Sequence, residues 1–111
     1  GLGIGDVGNI VLRDRRMLSE DGIIIVVVTI DDHGNILVGP DIITRGFVYI
    51  RESEELIEAA TKRVENALQD CEENNVTEWS VLKNTIRNSL NNYIYQKIKR
   101  NPMILPVIME V

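Results

Sequence analysis

Eight consecutive β-branched residues, Ile23-Ile24-Ile25-Val26-Val27-Val28-Thr29-Ile30, constrain this chain more than any other feature of it. Two heavy substituents on each Cβ stiffen the side chain, crowd a helical turn and fit a pleated surface, so the run predicts a strand. Successive side chains of a strand point to opposite sides. Ile24, Val26, Val28 and Ile30 therefore face one way, and Ile23, Ile25, Val27 and Thr29 the other. Both faces are greasy, and each needs a cover.

The rest of the chain supplies a cover for one of them. Asp31-Asp32-His33-Gly34-Asn35 has turn chemistry and Ile36-Leu37-Val38 resumes an extended pattern, which together predict a hairpin. Gly39-Pro40-Asp41 interrupts it. Ile42-Ile43 reads as a bulged continuation, and Phe47-Val48-Tyr49-Ile50 as a short additional strand. From Ser53, an expected N-cap, Leu56, Ile57, Ala60, Val64, Ala67, Leu68 and Cys71 recur at helical spacing, with Glu54 and Glu55 at the positive end of the helix dipole. Asn74-Asn75 ends that helix and Thr77 is placed to cap a second, whose stripe is Trp79, Leu82, Ile86, Leu90, Tyr93, Ile94 and Ile98. Asn101-Pro102 stops it, and Met103 to Val111 reads as a strand that Pro106 sends to a sheet edge or a bulge.

Strands and helices are segregated along the chain, which specifies an α+β fold: a small mixed sheet of three strands, or four with Phe47–Ile50, and two amphipathic helices on one face. Ahead of it, residues 1–21 are expected to be a linker and a short helical lead-in from something upstream, with residues 22–111 as the domain. Four of the eight residues in Gly1 to Gly8 are glycine, and Ile10, Val11, Leu12, Met17 and Leu18 suit a short helix closed by Gly22. Burying four Val or Ile side chains is worth about 6 to 12 kcal/mol, comparable with the estimated cost of association. The uncovered face is thus expected to meet another subunit or domain, with Ile24, Val26, Val28 and Ile30 as the candidate interface. Which of the two sets lies under the helices stays open, and the segment Asn9 to Asp21 folding back over the sheet is the alternative cover.

Candidate chemistry is sparse. Gly3-Ile4-Gly5-Asp6-Val7-Gly8 spells the dinucleotide fingerprint, but no strand delivers it and no βαβ unit follows, so a linker is the expected reading. One His33 and one Cys71 cannot make a zinc site or a nucleophilic triad with the available serines. His33 is expected to be a solvated turn residue and Cys71 part of the core. Adjacent Asp31 and Asp32 point apart, a poor geometry for a carboxylate pair. Asn75-Val76-Thr77 spells a glycosylation sequon with no secretory signal to support it. A lone thiol suits a reducing compartment, and the longest apolar run is far short of a membrane span, so a cytoplasmic protein is expected.

Charge is unevenly placed in a chain whose net charge is −5. Gly1 to Val76 holds 7 Lys and Arg against 15 Asp and Glu, net −8, whereas Thr77 to Asn101 holds 5 against 1, net +4. Lys83, Arg87, Lys97 and Arg100, interleaved with Trp79, Tyr93 and Tyr95, are therefore candidate RNA contacts. The competing reading is a solvated polar face. Arg13, Arg15 and Arg16 form a second cationic patch, expected to pair with Asp14, Glu20 and Asp21.

Three stretches go beyond pattern: Gly5-Asp6-Val7-Gly8-Asn9-Ile10-Val11-Leu12-Arg13-Asp14-Arg15-Arg16-Met17-Leu18-Ser19-Glu20-Asp21-Gly22, Gly39-Pro40-Asp41-Ile42-Ile43-Thr44-Arg45-Gly46-Phe47-Val48-Tyr49, and Pro102-Met103-Ile104-Leu105-Pro106-Val107-Ile108-Met109. In order and at matching spacing, they resemble the C-terminal region of bacterial ribonuclease J, a metallo-β-lactamase/β-CASP nuclease. The resemblance implies a cytoplasmic parent with 5′-to-3′ exonuclease and endonuclease activity in messenger and ribosomal RNA processing. It implies two divalent metal ions, zinc the expected one, in upstream domains, where they activate the attacking water. The His-x-His-x-Asp-His metal motif is absent here, so no catalytic residue or cofactor is assigned to this chain. What the resemblance assigns to it is an accessory domain serving self-association and the activity of the parent, with RNA engaged through that parent and no membrane involved.

Overall fold

A computed structural model describes residues 21–46 and 50–111. Its elements are β1 (Ile23–Ile30), β2 (Ile36–Arg45), α1 (Ile50–Glu73), α2 (Trp79–Ile98) and β3 (Met103–Glu110). Residues 1–20 of the linker and lead-in expected over residues 1–21, with its three arginines, and the Phe47–Tyr49 part of the expected fourth strand lie outside the described residues.

The β-branched run forms the central strand. The sheet order is β2-β1-β3, with β1 antiparallel to β2 and parallel to β3. This is the expected α+β fold with a three-stranded mixed sheet. β3 is an edge strand, where Pro106 removes no hydrogen bond that a further neighbour would require. Ile50, expected in a strand, is the first residue of α1.

The helices lie on one side of the sheet. Ile24, Val26, Val28 and Ile30 cluster with Leu56, Ala60, Val64, Leu68 and Cys71 of α1, with Leu82, Ile86, Leu90 and Ile94 of α2, and with Ile104 and Ile108 of β3. Trp79, Tyr93 and Ile98 pack partly against this cluster, completing the stripe read from the sequence.

Two capping expectations are corrected. α1 begins at Ile50, so Ser53 already lies inside the helix; the acidic residues that follow it favour the positive end of the dipole over the whole first two turns and do not fix the start at Ser53. α2 begins after Glu78, whose side chain makes no capping hydrogen bond, and Thr77 is not its cap. Thr77 packs instead against the hairpin: a Cβ built on Gly34 would stand 2.7 Å from Thr77 Cγ2.

The β1–β2 pairing is interrupted where Gly39-Pro40 enters. Register shifts fall between Val27 and Thr29 and between Thr29 and Ile30, the bulged continuation expected from the sequence. At Gly39, with φ +99°, a Cβ would meet the Val27 carbonyl oxygen at 2.7 Å, so the strand approaches its neighbour there only because the residue is glycine. The Gly39–Pro40 peptide is cis.

Candidate functional site

The set proposed from the sequence as an interface, Ile24, Val26, Val28 and Ile30, is the set that the helices cover. Val26 is 0% exposed and the other three are equally dry. The correction has a simple origin: alternation divides a strand into two faces but carries no label saying which face the helices take.

The other face of β1 is half-buried along its length, from Ile23 through Ile25 and Val27 to Thr29. Cross-strand register adds neighbours to it. Ile25 is opposite Ile43 on β2 and Leu105 on β3, and Val27 is opposite Val107. The two flanks differ. Leu105 is 3% exposed, whereas Ile43 is 40% exposed, and Val38, opposite Thr29, is 58% exposed. Apolar side chains thus open toward the β2 flank, Ile25 with Ile43 and Val27 with Val38 nearby, on either side of the exposed Asp41, which is the β2 partner of Val27.

The second surface belongs to α2. Leu82, Ile86, Leu90 and Ile94 are buried, and the polar residues between them define the opposite face. Of the four candidate RNA contacts, Lys83 and Arg87 sit one turn apart, and Arg87 donates from Nη1 to the Asn84 side-chain oxygen at 3.0 Å. Lys97 is elsewhere on the helix, its ammonium 5.7 Å from the Tyr93 ring centroid. Arg100 lies beyond the left-handed cap residue Lys99, whose backbone N–H closes the helix on the Tyr95 carbonyl. The four therefore do not form one cluster.

Two further cations were missed by reading α2 alone. Arg63 of α1 lies over the Tyr93 ring at 4.7 Å and donates from Nε to the Ser89 carbonyl at 3.1 Å. Lys99 lies 5.5 Å from the Tyr95 centroid. The Tyr95–Lys99 pair has the four-residue spacing of helical neighbours and was legible in the sequence; the Arg63 contact crosses between helices and was not.

In the hairpin, Asp31 is a structural acceptor. Its Oδ1 receives the backbone N–H groups of His33 and Asn35 at 2.9 Å each, and its Oδ2 the Asn35 amide at 3.1 Å. The Asn35 backbone N–H is the largest cause of a carboxyl held below its ordinary value, with the Asn35 side chain and the His33 N–H adding to it. His33 is exposed, with Nε2 3.7 Å from Asp32 Oδ1. Cys71 is buried against α2, its sulfur 3.7 Å from the Thr85 hydroxyl.

Among the described residues, no group of three His, Cys, Asp or Glu side chains is placed to hold a metal ion. They do not fit the dinuclear centre that the resemblance implies for a parent enzyme. No helix among them is long and apolar enough to cross a membrane.

Fold and surfaces together define a small α+β domain that offers faces for contact and no cluster of reactive groups among its described residues. The chain belongs to the ribonuclease J C-terminal domain family, whose model, described as "Ribonuclease J C-terminal domain", matches residues 10–111. It is 59% identical over 112 aligned positions to Ribonuclease J2 of Bacillus subtilis (strain 168), an alignment covering 100% of this chain and 20% of that protein. It is 48% identical to Ribonuclease J 2 of Staphylococcus epidermidis and to Ribonuclease J 2 of Staphylococcus aureus, again over 100% of this chain and 20% of each relative. The chain thus spans about a fifth of the length of the curated relatives it matches.

Proposed function

We propose that this chain is an accessory, non-catalytic domain of a ribonuclease of the J type, and that it supports self-association or docking onto the upstream domains of the same protein. The observation that carries the reading is the central strand. Its helix-facing residues are fully buried, while Ile25 and Val27 on the other side stay half-buried beside the exposed Ile43 and Val38. Apolar side chains left at a solvent boundary gain free energy when a partner covers them, and the exposed Asp41 among them, opposite Val27, offers a charged group to orient that partner.

In this reading the cleavage of RNA, the two divalent metal ions and the cytoplasmic setting belong to the whole enzyme. This chain contributes position and assembly.

Light scattering across concentration tests the assembly role. The chain is expected to form a dimer or larger species. Ile25→Asp should shift it to the monomer with its circular-dichroism spectrum retained, whereas Val26→Asp, on the helix side, should unfold it. A wild-type chain that stays monomeric at the highest attainable concentration, and that fails to bind the separately produced upstream region, overturns the reading. The isolated chain is also expected to leave RNA intact with zinc, manganese or magnesium present.

A further inference from the structure

We propose that the outward face of α2 is a binding strip for single-stranded RNA, built by Asn84, Asn88, Asn91, Tyr95 and Lys99 with Arg87 at its margin. This goes beyond the assembly role and does not depend on it.

The strip follows from spacing. Residues 84, 88, 91, 95 and 99 recur at intervals of three or four, which places them on one face of the helix, and all five are exposed. At about 1.5 Å of rise per residue, the face runs about 22 Å, enough for roughly three or four nucleotides of extended strand. Most solvent-facing helices alternate acidic and basic side chains. This one has no Asp or Glu from Trp79 to Asn101, and its exposed middle is made of amides.

Its cations Arg87, Lys97 and Lys99 engage an amide or aromatic rings and no described carboxylate. Among the described residues, the one basic and acidic side-chain pair within 4.0 Å is His33 with Asp32, so no Lys or Arg of α2 is matched to a described carboxylate. Arg87 is steered toward the strip by its bond to Asn84, which uses the amide oxygen and leaves the amide N–H groups for an incoming acceptor. Tyr95, 46% exposed, offers a ring face at the other end. The Lys99 ammonium lies over one face of that ring, 5.5 Å from its centroid, so a base would stack on the opposite face with its phosphate within reach of the ammonium.

Amides that read base edges and ribose hydroxyls, an aromatic platform and flanking cations are the parts that single-strand recognition uses. The −8 of residues 1–76 disfavours a polyanion on the rest of the molecule, which confines the contact to this helix.

The test is fluorescence anisotropy with the 111-residue chain and a labelled 12-nucleotide unstructured RNA, beside an acidic polyglutamate peptide of equal charge. Two phosphate contacts, from Arg87 and Lys99, should give a logarithmic salt slope near −1.4, or roughly a sevenfold loss of affinity between 50 and 200 mM salt. Tyr95→Ala should weaken RNA binding about tenfold without changing that slope, and Tyr95→Phe should restore it, because stacking needs the ring and not the hydroxyl. The double substitution Arg87→Glu and Lys99→Glu should abolish binding while leaving the circular-dichroism spectrum intact. Undetectable RNA binding, binding indifferent to Tyr95, or polyglutamate bound as tightly as RNA each overturns the proposal. Light scattering on the same variants keeps this outcome separate from the assembly role, since all of them should associate as the wild type does.

Discussion

The Glu72 carboxylate, near the end of α1, accepts the backbone N–H of Ile36, the first residue of β2, at 3.0 Å across 36 positions of sequence. It is the polar tie between helix and edge strand. It stands in a shallow groove of about 380 Å³, beside Pro40, Leu68 and Gln69. The Ile36 N–H belongs to a half-buried residue packed against the core, so losing its acceptor leaves a donor poorly solvated. Glu72→Ala is expected to cost about 1 to 2 kcal/mol, a fall in melting temperature of roughly 5 to 10 °C. Glu72→Gln keeps an acceptor oxygen and should recover about half of it. Thermal denaturation of the three proteins side by side checks this, and equal midpoints would show the tie to be idle.

Gly34 and Thr77 join the hairpin tip to the loop between the helices. Gly34 has φ +84°, a left-handed conformation, and its α-carbon faces the Thr77 methyl at a distance no side chain could share. Gly34→Ala is therefore destabilising for two separable reasons. The left-handed conformation alone costs about 1 kcal/mol, and the contact adds to it. In a Thr77→Ser background, which removes Cγ2, the second part should vanish and the first remain. A double-mutant cycle in urea reads the difference, and an interaction energy of zero would mean that the hairpin yields freely.

Much of this fold was legible in the sequence because local chemistry and tertiary demand agree. The β-branched run could be little but a strand, and the helix stripes from Leu56 to Cys71 and from Trp79 to Ile98 name the core residues almost one for one. What was not legible is relational. Period-two alternation could not say that Ile24 and Val26 face the helices while Ile25 and Val27 face away, since the two sets have the same chemistry. Thr77 has good capping chemistry but is held against Gly34, and α2 starts at Trp79 behind an uncapped Glu78. Arg63 meets Tyr93 only because α1 and α2 pack together. The basic surface was half-read for a similar reason: charges are visible in a sequence, but the exposed run of Asn84, Asn88 and Asn91 has no charge to draw attention.

The same helix makes a contrast between adjacent residues. Leu90 is fully buried among the sheet and both helices, whereas Asn91 is exposed. Leu90→Ala should cost about 2 to 5 kcal/mol, the loss of the transferred methyl groups plus the cavity they leave, and this is a large part of the stability of a domain this size. Asn91→Ala should fall within about 0.5 kcal/mol of the wild type. Urea titration distinguishes them, and a Leu90→Ala cost below about 1 kcal/mol would mean that the α2 stripe packs loosely.

Asp31 gives the hairpin a definite pH dependence. Hydrogen bonds from the Asn35 and His33 backbone N–H groups and from the Asn35 side chain hold its carboxyl below the ordinary value of 3.8 in the folded chain. A group whose folded value is depressed contributes its stabilisation above the unfolded value, and that contribution disappears as the pH falls through 3.8 toward the lower folded value. The melting temperature should accordingly drop across that interval as protons displace the donors. Asp31→Asn retains a neutral acceptor oxygen for the two backbone N–H groups, so the turn should persist, but the part of the acid dependence due to this residue should be gone. Melting curves from neutral pH to below 3.8 compare the two slopes. If the acid limb of Asp31→Asn has the same slope as that of the wild type, the turn carboxylate is not the group being titrated.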